Sequence, residues 1–185
     1  MKLENKVAIV TGGSRGIGYA TVEKFIKEGA KVCLTASSEA SAEKAVGKLK
    51  EAYPNADIMG IAPTLSSLES VQAEFAKVVE KYGRIDILIN NAGMSESTPL
   101  SAYTEELYDK VIDLNVKGVF TCSKVAGSEK KPCSASSIRK VCTGFFASHS
   151  LLAYSSPSSR RGSHSAVISS AGGRLDKSSA KSGAK

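Results

Sequence analysis

Short apolar runs alternate along the chain with longer stretches in which apolar residues recur every three or four positions. Val7-Ala8-Ile9-Val10 is uninterrupted and apolar, bounded by Lys6 and by Thr11-Gly12-Gly13, the pattern of a strand buried on both faces. From Gly16 to Lys27, residues at helical spacing (Ile17, Ala20, Thr21, Phe25) predict a helix that Gly29 ends. Lys31-Val32-Cys33-Leu34-Thr35 reads as a second strand, and 39–52 as a helix with Ala42, Ala45, Val46 and Leu49 inward. Asp57 to Ala62 reads as a third strand. Ser66-Ser67-Leu68-Glu69 has the spacing of a capping box and opens a helix through Val71, Phe75, Val78 and Val79 that stops near Tyr82-Gly83. Ile85 to Ile89 reads as a fourth strand. Residues 104–125 read as one long helix capped by Thr104, with Leu107, Val111, Leu114 and Gly118 on one side. Strands alternating with helices imply right-handed crossovers and an α/β fold: a doubly wound parallel sheet covered on both faces.

After Gly127 this regularity stops. Val141, Phe145-Phe146 and Leu151-Leu152 stand isolated among serines, with no window of convincing helix or strand period. Charge breaks at the same place. Residues 1–127 hold 15 Lys/Arg against 16 Asp/Glu, whereas residues 128–185 hold 10 against 2, so the net charge of +7 belongs to the later segment. Serine numbers 11 before the break and 17 after it. We therefore expect a unit at 1–127 and a low-order Ser/Lys/Arg-rich tail at 128–185, the signature of a truncated or frame-shifted reading of a longer gene. With no further strand beside it, Ile85 to Ile89 would form an apolar sheet edge.

The basic segment carries little aromatic interleaving, so nucleic acid is not expected as a partner. No apolar run approaches the roughly 18 residues that cross a membrane, and no apolar leader precedes the first strand. Cys33, Cys122, Cys133 and Cys142 form no Cys-x-x-Cys pair, and with His149 and His164 they match no standard zinc spacing, so no metal is expected. A cytoplasmic location is the expectation.

The candidate chemistry begins at Thr11-Gly12-Gly13-Ser14-Arg15-Gly16-Ile17-Gly18, between the first strand and the first helix. Glycines let the chain turn tightly and let a pyrophosphate approach a helix N-terminus, where unpaired N–H groups favour negative charge. Alone, such a turn also fits an ordinary strand–helix junction. It is joined by Asn90-Asn91-Ala92-Gly93 at the end of the fourth strand and by Asp113-Leu114-Asn115-Val116-Lys117-Gly118 in the long helix. On these three motifs, in this order, residues 3 to about 125 resemble the short-chain dehydrogenase/reductase family.

The resemblance implies a Rossmann-like fold, a nicotinamide cofactor and interconversion of an alcohol and a ketone on a small-molecule substrate. It implies a cofactor turn shaped by Gly12, Gly16 and Gly18, with Ser14, Arg15 and Ile17 in the same loop. Asn90, Ala92 and Gly93 would support the sheet beside the adenosine ribose. Asn115 would be the active-site asparagine whose main chain helps hold a water in the proton relay. Thr64 stands where an aspartate often meets the adenine ring. The long helix would contribute to an oligomer face, as in the family's homo-oligomers. Lys31 to Ala45 reads like bacterial 3-oxoacyl-carrier-protein reductases, and Tyr53 to Pro63 like bacterial hydroxysteroid dehydrogenases, so the substrate stays open.

Cofactor choice follows from charge. An acid ending the second strand would bind ribose hydroxyls and repel a 2′-phosphate; here the strand ends Thr35-Ala36-Ser37-Ser38, with no acid before Glu39. Ser37, Ser38 and the Arg15 guanidinium suit a phosphate, which predicts NADP(H) over NAD(H), although the serines could instead cap the next helix. The family's proton donor is a tyrosine followed four residues later by a lysine that lowers its pKa. None of Tyr19, Tyr53, Tyr82, Tyr103, Tyr108 and Tyr154 is followed so. The family's serine finds only a faint echo at Val167-Ile168-Ser169-Ser170. The 185-residue chain is therefore expected to be catalytically dead.

Overall fold

The computed structural model describes residues 1–128 and, as backbone, the strands Lys140–Gly144 and Leu151–Tyr154. Six strands form one sheet in the order β3-β2-β1-β4-β5-β6. These are β1 (Val7–Val10), β2 (Lys31–Thr35), β3 (Ile58–Ile61), β4 (Ile87–Asn90), β5 (Lys140–Gly144) and β6 (Leu151–Tyr154). The first five run parallel, with Ala8 beside Ile87 and Val32 beside Ile58, while β6 returns antiparallel to β5. This is the expected doubly wound parallel sheet.

Strand alternation divides the core into two layers. Val10, Val32, Leu34 and Ile58 point to one face and pack under α1 (Gly16–Lys27) and α2 (Glu39–Ala52) through Val22, Ile26, Ala42, Ala45 and Leu49. Val7, Ile9, Cys33, Ile61 and Leu88 point to the other, under α3 (Leu68–Tyr82) and α5 (Gly118–Ser128). Phe75 of α3 is fully buried there, so truncating it to alanine would cost about 3–5 kcal/mol. Crossover helices on both faces are why the strands read as continuous apolar runs.

Four expectations change. The inward face of α1 is Gly18, Val22 and Ile26, and Ile17 is 55% exposed. The cap of α3 is Ser67, whose hydroxyl accepts from Ser70 N–H at 3.3 Å, rather than Ser66. The long helix is broken: α4 (Glu105–Ile112) passes through a π turn at Asp113–Lys117 into α5, and the wider turn shifts the register. Of the stripe Leu107, Val111, Leu114 and Gly118, only Gly118 is buried. Finally, β4 is not the sheet edge, because β5 pairs along it from Ile87 to Asn90.

Candidate functional site

The carboxyl end of the sheet gathers the three motifs. The strand order reverses between β1 and β4, and such switch points are where open α/β sheets bind ligands. There Thr11 acts as a hub. Its hydroxyl donates to Ile89 C=O at 3.3 Å and accepts from the N–H groups of Asn91 and Ala92, each at 3.0 Å. The Asn91 amide answers by donating to Thr11 C=O at 3.0 Å and Gly12 C=O at 3.3 Å. Thr35 at the end of β2 accepts Gly12 N–H on its hydroxyl at 3.2 Å and Gly13 N–H on its carbonyl at 2.9 Å. The first half of the glycine turn is thus fixed from both neighbouring strands.

The second half opens into α1. Gly16 has φ +55°, and a Cβ built on it meets nothing within 4 Å. Gly18 is the opposite case: a Cβ there would collide with Gly12 C=O and lie 2.5 Å from the Asn91 amide nitrogen. Only glycine lets the helix start this close to the turn. Hydroxyls cap α2, α3 and α4 (Ser38, Ser67 and Thr104), but α1 starts after Arg15 with no side-chain cap and no acid in its first turn. Its leading N–H groups carry no side-chain cap, and they begin at Gly16, where a Cβ would meet open space, an arrangement that suits an anion.

The remaining predicted residues fall as follows. Ser14 is half-buried in the turn, and Arg15 is exposed. Ser37 is exposed beyond buried Ala36. Ser38 is the N-cap of α2, its hydroxyl accepting from Ser41 N–H at 3.3 Å and donating to Ser41 Oγ at 2.9 Å. Thr64 is exposed in the β3–α3 loop. Asn90 is buried and donates its amide to Ser123 Oγ of α5 at 3.1 Å. Gly93 leaves room for Asn115, whose Oδ1 would lie 3.0 Å from a Cβ at that position. Asn115 itself sits in the π turn and pairs twice with the main chain of Met94: Oδ1 accepts its N–H at 2.9 Å and Nδ2 donates to its C=O at 2.8 Å. Its side chain is therefore a clamp that joins the long helix to the end of β4. Cys133, His149, His164 and the run from Val167 to Ser170 lie outside the described residues.

Thr11, Thr35, Asn91 and the main chain of Met94 belong to the site but were not singled out from sequence. Asn91 and Thr11 lie inside the quoted motifs; Thr35 and Met94 carry no local signal. Across Thr11–Gly18, Thr35–Ser38, Ala62–Ser67 and Asn90–Ser95, Arg15 is the one charged side chain. Cys33 and Cys122 lie in the core, where burial pushes Cys122 up to about 12 and Cys33 upward as well, so neither is a nucleophile. Among the described residues no three His, Cys, Asp or Glu side chains gather as a metal site, and no helix is long and apolar enough to cross a membrane.

Comparison with known proteins agrees with this geometry. A family profile described as short chain dehydrogenase matches residues 6–156, which carries the likeness past residue 125 and through β5. A 3alpha-hydroxysteroid dehydrogenase of Mediterraneibacter gnavus is 49% identical over 131 residues, 71% of this chain and 52% of that protein. The 3-oxoacyl-(acyl-carrier-protein) reductase FabG of Vibrio cholerae is 37% identical over 67% of this chain and 49% of its own length. A solved short-chain dehydrogenase/reductase of Serratia marcescens, a doubly substituted mutant, superposes with a TM-score of 0.62 at 32% identity, covering 68% of this chain and 51% of that one. The chain spans about half the length of the curated relatives it matches. It belongs to the short-chain dehydrogenase/reductase family of oxidoreductases.

Proposed function

We propose that residues 1–127 are the NADP(H)-binding unit of an oxidoreductase that interconverts an alcohol and a ketone, of hydroxysteroid or 3-oxoacyl type. The observation that carries this reading is the uncapped start of α1 beside the open side of Gly16, with Arg15 just ahead of it and no acid in its first turn. Pyrophosphate would lie against Gly12, Ser14, Gly16, Ile17 and Gly18, and the adenosine half along Thr64 and Asn90-Asn91-Ala92-Gly93. When bound, the nicotinamide supplies or takes up the hydride.

NADP(H) is favoured over NAD(H) because β2 ends without an acid. Ser38 is engaged as a helix cap, so Ser37 and Arg15 are left to meet a 2′-phosphate. Titration of the protein with NADPH and NADH tests this. NADPH should bind about tenfold more tightly, and Arg15→Ala should erase most of that gap, the worth of one charge-assisted hydrogen bond. Equal constants for the two cofactors would reject the NADP(H) assignment.

We further propose that the 185 residues by themselves bind cofactor without turning substrate over, as a pseudoenzyme or gene remnant would. None of the six tyrosines precedes a lysine by four. The Tyr53 and Tyr82 hydroxyls donate to Glu23 at 3.3 Å and Asp57 at 2.8 Å, and Tyr154 stands in register with Val141, short of the carboxyl end of β5. Residues 128–185 are basic and serine-rich, although β5 and β6 within them extend the same sheet. Measurable NADPH oxidation with a 3-ketosteroid or a 3-oxoacyl thioester would overturn the inactive reading. A cytoplasmic, self-associating protein fits the family. The exposed Tyr108, Val116 and Phe120 on α4, the π turn and α5 would be the contact face, and sedimentation would test it.

A further inference from the structure

Thr64 differs from the other proposed ligand residues in how its backbone is held. Its C=O accepts the N–H of Ser67 at 2.9 Å, closing a turn, and its N–H donates to Ser70 Oγ at 2.9 Å. Ser70 lies one helical turn further on, in α3, and its own N–H donates to the Ser67 hydroxyl at 3.3 Å. Both main-chain polar groups of Thr64 are therefore occupied within one small network, and the direction of its Cα–Cβ bond is fixed. On its other flank, Leu65 lies against Gly118 at the start of α5, where a Cβ would come within 3.2 Å of the Leu65 Cβ. The Thr64-Leu65 pair is gripped between α3 and the exit of the π turn that carries Asn115, while Thr64 itself stays exposed.

We propose that Ser70 is a positioning residue for the adenosine half of the dinucleotide: its hydroxyl holds the Thr64 main chain so that the Thr64 side chain is presented to the adenine side of the site. This rests on the NADP(H)-binding reading above. A threonine can offer only one hydroxyl and one methyl to a ligand, where a carboxylate would offer two oxygens and a charge. A weaker group needs tighter placement to contribute the same, because an ordered contact must offset the rotational freedom it removes. Ser70 is half-buried, occupies the third position of α3 and is not needed to cap that helix, so its loss leaves the helix intact.

The test uses the 185-residue protein and two probes, NADPH and 2′,5′-ADP, which carries the adenosine half without the nicotinamide. Ser70→Ala should weaken both probes roughly fivefold, the worth of one neutral hydrogen bond, with the NADPH-to-NADH ratio and the melting temperature unchanged. Ser70→Thr keeps the hydroxyl and should bind like the parent. In a Thr64→Ala background Ser70→Ala should have no further effect on binding, since the group it positions is gone. Unchanged affinity in Ser70→Ala, independent effects of the two substitutions, or affinity that falls only in step with melting temperature would each overturn the proposal. A parent protein that binds neither probe would instead overturn the NADP(H) reading, and this inference with it.

Discussion

The two ends of the sheet solve different problems with different side chains. At the amino end the polar residues are charged and turned on one another. Asp86, just before β4, is fully buried; its carboxylate accepts Val7 N–H at 3.0 Å and pairs with Arg84, while its own N–H donates to Val7 C=O at 2.8 Å. Asp57, just before β3, accepts from Tyr82 and pairs with Lys81 at 3.3 Å and Lys31 at 3.8 Å, and both lysines lie over the Tyr82 ring. At the carboxyl end the polar residues are short and neutral, and they bond to main chain: Thr11, Thr35, Asn91 and Asn115. With no acid in its first turn, α1 keeps the positive potential of its start, and Arg15 stands just ahead of it. The amino end is braced by buried and paired charge, and the carboxyl end is the one we propose for the dinucleotide.

Substitutions can break that contrast, and Gly18→Ala should have the largest effect. Its methyl must displace Gly12 C=O or the Asn91 amide, an overpacking cost of about 3 kcal/mol that falls on the glycine turn. NADPH affinity should drop more than about a hundredfold, which is what such an energy amounts to if it is all lost from binding. Asp86→Ala is the matching test at the other end. It leaves the Val7 N–H buried without its acceptor, costing roughly 2 kcal/mol of unfolding free energy. The folded protein should bind NADPH as before, checked by urea denaturation beside a fluorescence titration. Loss of NADPH affinity in Asp86→Ala, or parent-like affinity in Gly18→Ala, would erase the distinction.

The same contrast explains what the sequence revealed. Strands and helices were legible because their apolar residues keep a period, and β1, β2, α1 and α2 fall where the pattern puts them. The inward face of α1 was misread because Ile17, Ala20 and Phe25 offer an apolar stripe that competes with Val22 and Ile26, and hydropathy does not register Gly18, which is buried by close approach to Gly12. Nor did the π turn show, since the contact made from it, Asn115 on the Met94 main chain, spans 21 residues. Ser38 was ambiguous on its face, because a hydroxyl ahead of a helix serves a cap or a phosphate equally well. The serine-rich composition after residue 127 hid β5, whose Val141-Cys142-Thr143 is too short to set a period. The glycine turn and the two Asn motifs were legible as motifs, but the roles of Thr11, Thr35 and Asn91 depend on strands that meet only in the fold.

A milder substitution at the amino end should act through pH alone. Burial pushes the Asp57 carboxyl up, but the Tyr82 hydroxyl and then Lys81 and Lys31 outweigh it and hold the group below its ordinary value. A carboxyl depressed in the folded state adds stability that is complete above the unfolded value, about 3.9, and is lost as pH falls through the folded one. Tyr82 does not titrate alongside it: burial, reinforced by the hydrogen bond to Asp57 and its charge, pushes that phenol upward, so it remains a donor. Tyr82→Phe deletes the hydrogen bond and leaves the lysines. Asp57 is 42% exposed, so solvent discounts the loss to about 0.5 kcal/mol. The deficit should be full at neutral pH and shrink as pH falls below the unfolded value and through the depressed folded one, where Asp57 takes up its proton. NADPH affinity should not change at any pH in that range. Denaturation midpoints of the two proteins from pH 7 to pH 3 would show the curves converging on the acid side; parallel curves would mean that Tyr82 acts by packing and not through the Asp57 carboxylate.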